Sequence, residues 1–183
     1  MSKAVDYSKF RKGITKSIPG ISSGFHDPNT WISTGNYALN YLISGDFQRG
    51  IPLGKVSMFS GQSGAGKSYI VSGNIVKNAQ EQGIYCIVMD TENALDEAWL
   101  HALGVDTSEE KLLKLNVSQI NDAAQIINDF VKEYKEQALE DRQKILFVID
   151  SIGMMLSAIG AAQFKNNDLK GYFVSKPKEL MAL

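Results

Sequence analysis

The residues Gly61-Gln62-Ser63-Gly64-Ala65-Gly66-Lys67-Ser68 put a lysine and a hydroxyl directly behind a run of glycines, in the spacing G-x-x-x-x-G-K-S. Glycines in such a loop let successive backbone N–H groups turn inward around an anion. A helix starting near Lys67 aims the positive end of its dipole at the same point. A lysine beside that cradle reaches the β and γ phosphates of a nucleotide, and the serine hydroxyl ligates magnesium. The loop and the adjoining Tyr69 therefore form a candidate site for ATP with Mg2+. A coincidental Gly/Ser-rich turn is the competing reading. With Gly at about 7% of average usage, a chance match of the fixed positions arises in roughly one chain in a hundred or fewer. The apolar run Val56–Ser60 leading in and the helical pattern leading out lower that further.

Two acidic positions would complete such a site. The apolar run Ile145-Leu146-Phe147-Val148-Ile149 ends in Asp150, and the C-terminal ends of strands are where doubly wound sheets place ligands. A carboxylate there, as in a Walker B strand, holds magnesium through water or alongside the loop hydroxyl of Ser68. The second position follows the apolar run Ile84 to Asp90. A carboxylate beyond that strand can orient and deprotonate the water that attacks a γ phosphate. Asp90 ends the strand itself and Glu92 lies further toward the nucleotide, and spacing leaves both open.

The elements that must carry these groups follow from apolar periodicity. Strands are predicted at Val56–Ser60, Ile84–Asp90, Leu112–Val117 and Ile145–Asp150, alternating with helices at about Lys67–Gln82, Leu95–Leu103 and Gln119–Gln137. That alternation is the pattern of an α/β protein with a mostly parallel sheet. In the last helix Ile120, Ala124, Ile127, Val131 and Tyr134 recur at three- and four-residue steps, the mark of one buried stripe. A shorter helix, Asn36 to Ile43, ends at Gly45. The first thirty or so residues, with Pro19-Gly20, Ser22-Ser23-Gly24 and Asp27-Pro28-Asn29, read as an arm, residues 1–30, ahead of a core, residues 31–183.

Composition excludes several classes. The chain has 183 residues, 44% of them apolar, enough for one domain with a substantial core. Nineteen basic against 20 acidic residues give a net charge of −1, unlike a protein that coats nucleic acid by bulk electrostatics. Basic residues do cluster locally, at Lys3, Lys9, Arg11, Lys12 and Lys16 and again at Lys165, Lys170, Lys176 and Lys178, where solvated faces are the plainer reading. No apolar run is long enough to span a bilayer and no signal core follows the N-terminal cations, so a cytoplasmic protein with no membrane partner is expected. The single Cys86 lies in an apolar run and is expected to be a buried, reduced thiol, while His26 and His101 lack metal-ligand spacing.

Several segments together carry a family resemblance. Ile32-Ser33-Thr34-Gly35, Leu39-Asn40, Leu42-Ile43-Ser44-Gly45 and Gly50-Ile51-Pro52-Leu53-Gly54-Lys55, ahead of the glycine-rich loop, resemble the segment that leads into the P-loop of RecA-type recombinases. Met89-Asp90-Thr91-Glu92-Asn93-Ala94-Leu95-Asp96, followed by Leu103-Gly104-Val105-Asp106, resembles the stretch around that family's catalytic glutamate. The resemblance picks Glu92 over Asp90 as the catalytic carboxylate, with Lys67 as the phosphate cation. It implies a RecA-like P-loop NTPase core, and the residues after Asp150-Ser151, with the abundance of Phe, Asn and Lys, look most like the phage UvsX group, hence a phage-infected bacterial cell. By the same resemblance Trp99 takes the position whose ring stacks on adenine, with Asp96 near the adenine edge; the alternative is a tryptophan that simply packs. The segment from Ala158 to Gly171 corresponds to a first DNA-binding loop. Lys165, Asn166, Asn167 and Lys170, with Lys176 and Lys178 beyond, are the implied DNA contacts.

Cores of this kind continue with a further helix, a strand ending in a polar sensor residue and a second DNA loop. Lys176 to Leu183 reads as the opening of that helix, with Pro177 in its first turn, so the core is expected to be incomplete at its C-terminus. The implied activity is an ATP-dependent recombinase, a DNA-dependent ATPase that self-associates into filaments on single-stranded DNA and pairs it with a homologous duplex. A ring-forming helicase or helicase loader, and a non-catalytic fragment that caps filaments, are the alternatives.

Overall fold

A computed structural model of the chain describes residues 6–17 and 27–157. Helix α1, Tyr7–Ser17, is capped by the Asp6 carboxylate, which accepts the Ser8 and Lys9 N–H groups at 3.1 Å. Strands β1 (Trp31–Ile32) and β2 (Ile51–Pro52) form a short antiparallel pair around helix α2, Tyr37–Ser44. The boundaries of α2 follow from its caps. Asn36 accepts from the Leu39 N–H at 2.9 Å, and Gly45 takes the left-handed conformation (φ 77°) that ends a helix cheaply.

Buried Asn40 ties this segment together: its Oδ1 accepts the Thr34 N–H at 2.9 Å and the Thr34 hydroxyl at 2.8 Å, and its Nδ2 donates to Ser33 Oγ and to the Phe47 carbonyl. Gly50 is required beside it, because a Cβ there would meet the Ile32 carbonyl and lie 2.7 Å from Asn40 Oδ1.

After the glycine-rich loop a helical segment runs from Lys67, with π geometry over Tyr69–Ile75 and then α3, Val76–Gln80. It is followed by β3 (Tyr85–Asp90), α4 (Glu97–Ala102), β4 (Leu112–Asn116), α5 (Ile120–Glu136) and β5 (Ile145–Asp150). The larger sheet is parallel, in the order β4-β3-β5, and its register sets Asp90 opposite both Asn116 and Asp150. Alternation along β3 decides the two faces. Cys86 and Val88 join Ile75, Val76, Ala79 and Leu100 on one side, whereas Ile87 and Met89 join Val117, Ile120 and Ala123 on the other. Helices thus cover both faces, as expected of a parallel α/β sheet.

Two expectations are corrected. Val56–Ser60 takes no part in a ladder, and Val56 and Met58 are 100% and 81% exposed, with Phe59 alone of the three packed on the core. A strand needs a hydrogen-bonded neighbour, and among the described residues none pairs with this segment. The buried stripe of α5 is also rotated. Ala123, Ile126 and Phe130 join Ile120 and Ile127 against the sheet, and the Phe130 ring meets Phe147 edge-on at 5.4 Å.

Cys86 is fully buried, and burial pushes its thiol up to about 12. Among the described residues no group of three His, Cys, Asp or Glu side chains could hold a metal, and no helix is long and apolar enough to cross a membrane.

Candidate functional site

The parallel register brings the ends of β3 and β5 to one edge of the sheet, and the helical segment that follows the glycine-rich loop packs against that edge. In the loop Gly64 and Gly66 adopt φ of 76° and 85°, which side-chain-bearing residues rarely tolerate. Gly61, Gln62, Ser63, Gly64 and Ala65 are exposed, Gly66, Lys67 and Ser68 are half-buried, and Tyr69 is exposed. Lys67 folds back over its own loop, donating from Nζ to the Gly61 carbonyl at 3.0 Å and the Gln62 carbonyl at 2.9 Å.

Asp150 ends β5, and its Oδ2 accepts from the buried Ser72 hydroxyl at 2.9 Å. Ser72 lies one turn beyond Ser68, so this bond ties the metal-candidate carboxylate to the helix that follows the loop. The sequence reading missed Ser72. Its signal was a lone hydroxyl four residues after Ser68 on an otherwise apolar face that includes Ile75 and Val76. Ser68 and Asp150 offer a hydroxyl and carboxylate oxygens, the hard donors that magnesium takes.

Asp90 and Glu92 differ sharply in environment. Asp90 is 2% exposed, and its Oδ1 accepts the Glu92 and Ala94 N–H groups at 3.2 Å each. Its Oδ2 accepts the Leu95 N–H at 2.9 Å and meets Lys114 Nζ at 3.1 Å. Burial pushes its pKa up, but the Leu95 N–H, the Lys114 ammonium and the Ala94 N–H outweigh that and hold the carboxyl below its ordinary value. Glu92 is exposed at the same edge, where its Oε1 accepts from the Ser151 hydroxyl at 3.2 Å. The turn between them is clamped across the sheet: Thr91 Oγ1 donates to the Ser151 carbonyl at 2.9 Å and accepts the Ser151 N–H at 2.8 Å.

Asp96 is the N-cap of α4, accepting the Trp99 N–H at 3.0 Å, and Trp99 is half-buried against the core that includes Leu100 and Ile75. Lys165, Asn166, Asn167, Lys170, Lys176 and Lys178 lie outside the described residues.

Residues 15–164 match the RecA N-terminal domain family. The RecA protein of Cutibacterium acnes is 32% identical over 124 residues, which cover 68% of this chain and 32% of that protein. The RecA protein of Deinococcus radiodurans is 30% identical over 124 residues, 68% of this chain and 30% of its own length. In Arabidopsis thaliana the mitochondrial DNA repair protein recA homolog 3 is 35% identical over 75 residues, 41% of this chain and 16% of the plant protein. The matched stretch is thus about a third of the length of the bacterial relatives.

Proposed function

Because the chain belongs to the RecA N-terminal domain family, we propose that it is an ATP-dependent DNA recombinase, binding ATP at the Gly61–Ser68 loop to assemble on single-stranded DNA and pair it with a homologous duplex. The observation that carries this reading is the convergence on one sheet edge of Asp150, Glu92 and the helix that follows the loop. The loop N–H groups receive the phosphates. Lys67 exchanges the Gly61 and Gln62 carbonyls for phosphate oxygens. Ser68 and Asp150 hold Mg2+, which neutralises phosphate charge when bound. Glu92, exposed and held at the surface by Ser151, orients and deprotonates the attacking water. Trp99 offers its remaining open surface to adenine beside Asp96.

Residues 1–30 serve as the arm through which one copy docks on the next, and residues 31–183 as the ATPase core. The basic amphipathic α1, with Tyr7 and Phe10 75% and 61% exposed, supports that role for the arm. The abundance of Phe, Asn and Lys supports placement with the phage UvsX group. DNA is held by Lys165, Asn166, Asn167, Lys170, Lys176 and Lys178. ATP and DNA binding then stabilise each other through shared subunit contacts.

The test is anisotropy of a labelled single-stranded oligonucleotide titrated with the chain, with and without ATP–Mg. Binding should tighten with nucleotide. Neutralising three or four phosphates gives a log–log salt slope of about −2 to −3. Binding indifferent to ATP, or to salt, would remove the recombinase reading.

A further inference from the structure

Asp90 and Lys114 stand beside the proposed reaction without entering it. A buried carboxylate is costly unless its oxygens are fully engaged. Asp90 meets that condition with three backbone N–H groups, all from the next turn of chain, and one ammonium from the neighbouring strand β4. Both of its oxygens are committed, so it is poorly placed to take a proton from water.

What those bonds do is shape residues 91–95. The N–H groups of Glu92, Ala94 and Leu95 all point back at one carboxylate, so the chain must curl around it, and Asn93 is carried into the left-handed region at φ 52°. The Thr91–Ser151 pair fixes the start of the same turn from β5. Lys114 completes the brace from the opposite side, with its side chain 26% exposed and its ammonium also donating to Asn116 Oδ1 at 2.9 Å. Glu92, by contrast, touches the frame through one side-chain bond, to Ser151. Its location is therefore inherited from the turn.

We propose that Asp90, paired with Lys114, is a positioning residue for Glu92, curling the 91–95 turn so that the Glu92 carboxylate stands at the nucleotide edge beside Ser151. This rests on the reading of Glu92 as the hydrolytic base. Loosening the brace leaves the glycine-rich loop and the metal ligands in place. It therefore lowers the rate of hydrolysis and spares ATP affinity, the signature of an interaction that matters in the transition state.

The experiment uses the full chain carrying Lys114→Met, Lys114→Arg or Asp90→Asn, each with and without Glu92→Gln. Amide hydrogen exchange at Glu92, Ala94 and Leu95, ATP affinity by titration, and single-turnover hydrolysis with protein in excess are measured for each. In Lys114→Met, exchange at the three amides should rise by about tenfold or more. Hydrolysis should fall about ten- to a hundredfold, the scale of a misplaced catalytic group, while ATP affinity stays within about twofold of the parent. Lys114→Arg should restore most of both. On the Glu92→Gln background the Lys114 and Asp90 substitutions should cost no further rate. Unchanged exchange in Lys114→Met, affinity falling together with rate, or an equal rate loss on both backgrounds would overturn the proposal. Should Asp90→Asn fail to fold, Lys114→Met carries the test, since its side chain is partly exposed. Wild-type turnover in Glu92→Gln, with exchange still raised in Lys114→Met, would instead remove the base assignment and the proposal with it, leaving the brace as loop structure only.

Discussion

Replacing Lys67 with alanine removes the one cation of the glycine-rich loop, and the structure sets how much affinity should go with it. In the proposed ATP complex the ammonium would gain charge-assisted contacts with two phosphates, each contributing about 1.5–3 kcal/mol. Before ATP arrives, the same ammonium makes two hydrogen bonds, to the Gly61 carbonyl at 3.0 Å and the Gln62 carbonyl at 2.9 Å. Both must be released, at about 0.5–1.5 kcal/mol each in this exposed loop. Taken at the middle of these ranges, the difference leaves a net loss of about 2–3 kcal/mol, which is about 30- to 150-fold in the dissociation constant. Calorimetric titration with ATP–Mg measures it directly, and the shift of the thermal midpoint with ATP reports it independently through linkage. Without nucleotide, Lys67→Ala should unfold within about 1–3 kcal/mol of the parent, because only the two loop bonds are lost. Equal ATP affinity in parent and variant would refute the assignment of the loop. A larger loss of stability in the nucleotide-free variant would show that Lys67 holds more of the fold than its bonds to Gly61 and Gln62.

Three further outcomes follow from buried groups. Asn40→Leu strands the Thr34 N–H and weakens the hold on the β1–α2 segment, so urea unfolding should show a loss of about 2–3 kcal/mol; a change under about 0.5 kcal/mol would show the network to be dispensable. Asp90 has a folded-state pKa below its ordinary value, so its stabilisation is present above the unfolded carboxyl pKa and is lost as pH falls through the folded one. The stability advantage of the parent over Asp90→Asn should therefore be full at neutral pH and shrink below about pH 4, and an advantage that grew on acidification would contradict the sign. Cys86, with its thiol pushed up to about 12 by burial, should resist alkylation at mildly alkaline pH until denaturant is added; rapid labelling of the native chain would contradict its placement in the core.

What could be read from the residues was mostly local. Asn36 and Gly45 mark the ends of α2 because capping is decided within a turn of the chain, and the run ending at Asp150 is strand β5 with the boundaries expected. What could not be read depended on neighbours far away in sequence. Val56–Ser60 has strand composition, yet a ladder needs a second strand, and that requirement is invisible to periodicity. Periodicity misphases the stripe of α5 because Ala123 and Ala124 are equivalent by residue type, and packing against the sheet, including the Phe130–Phe147 contact, decides between them. The two-residue strands β1 and β2 are too short to carry a period at all. Ser72 and Lys114, the polar residues that secure Asp150 and Asp90, left a faint trace as single polar interruptions of apolar patterns. Their meaning appears only when the carboxylates they meet are placed.

In the proposed function, the sheet edge that carries Asp150 and Glu92 receives the nucleotide together with the glycine-rich loop. This is tested most directly by titrating ATP–Mg into the isotopically labelled chain and mapping the backbone amide shifts. The large shifts should gather at Gly61–Tyr69, at Thr91–Asn93 and at Ser151, with saturation at one nucleotide per chain. The far end of the sheet carries its own polar cleft, where Lys144 donates to Thr30 Oγ1 at 2.7 Å beside Arg49 and Gln82. Shifts centred on that cleft, with the glycine-rich loop unmoved, would contradict nucleotide binding at the loop.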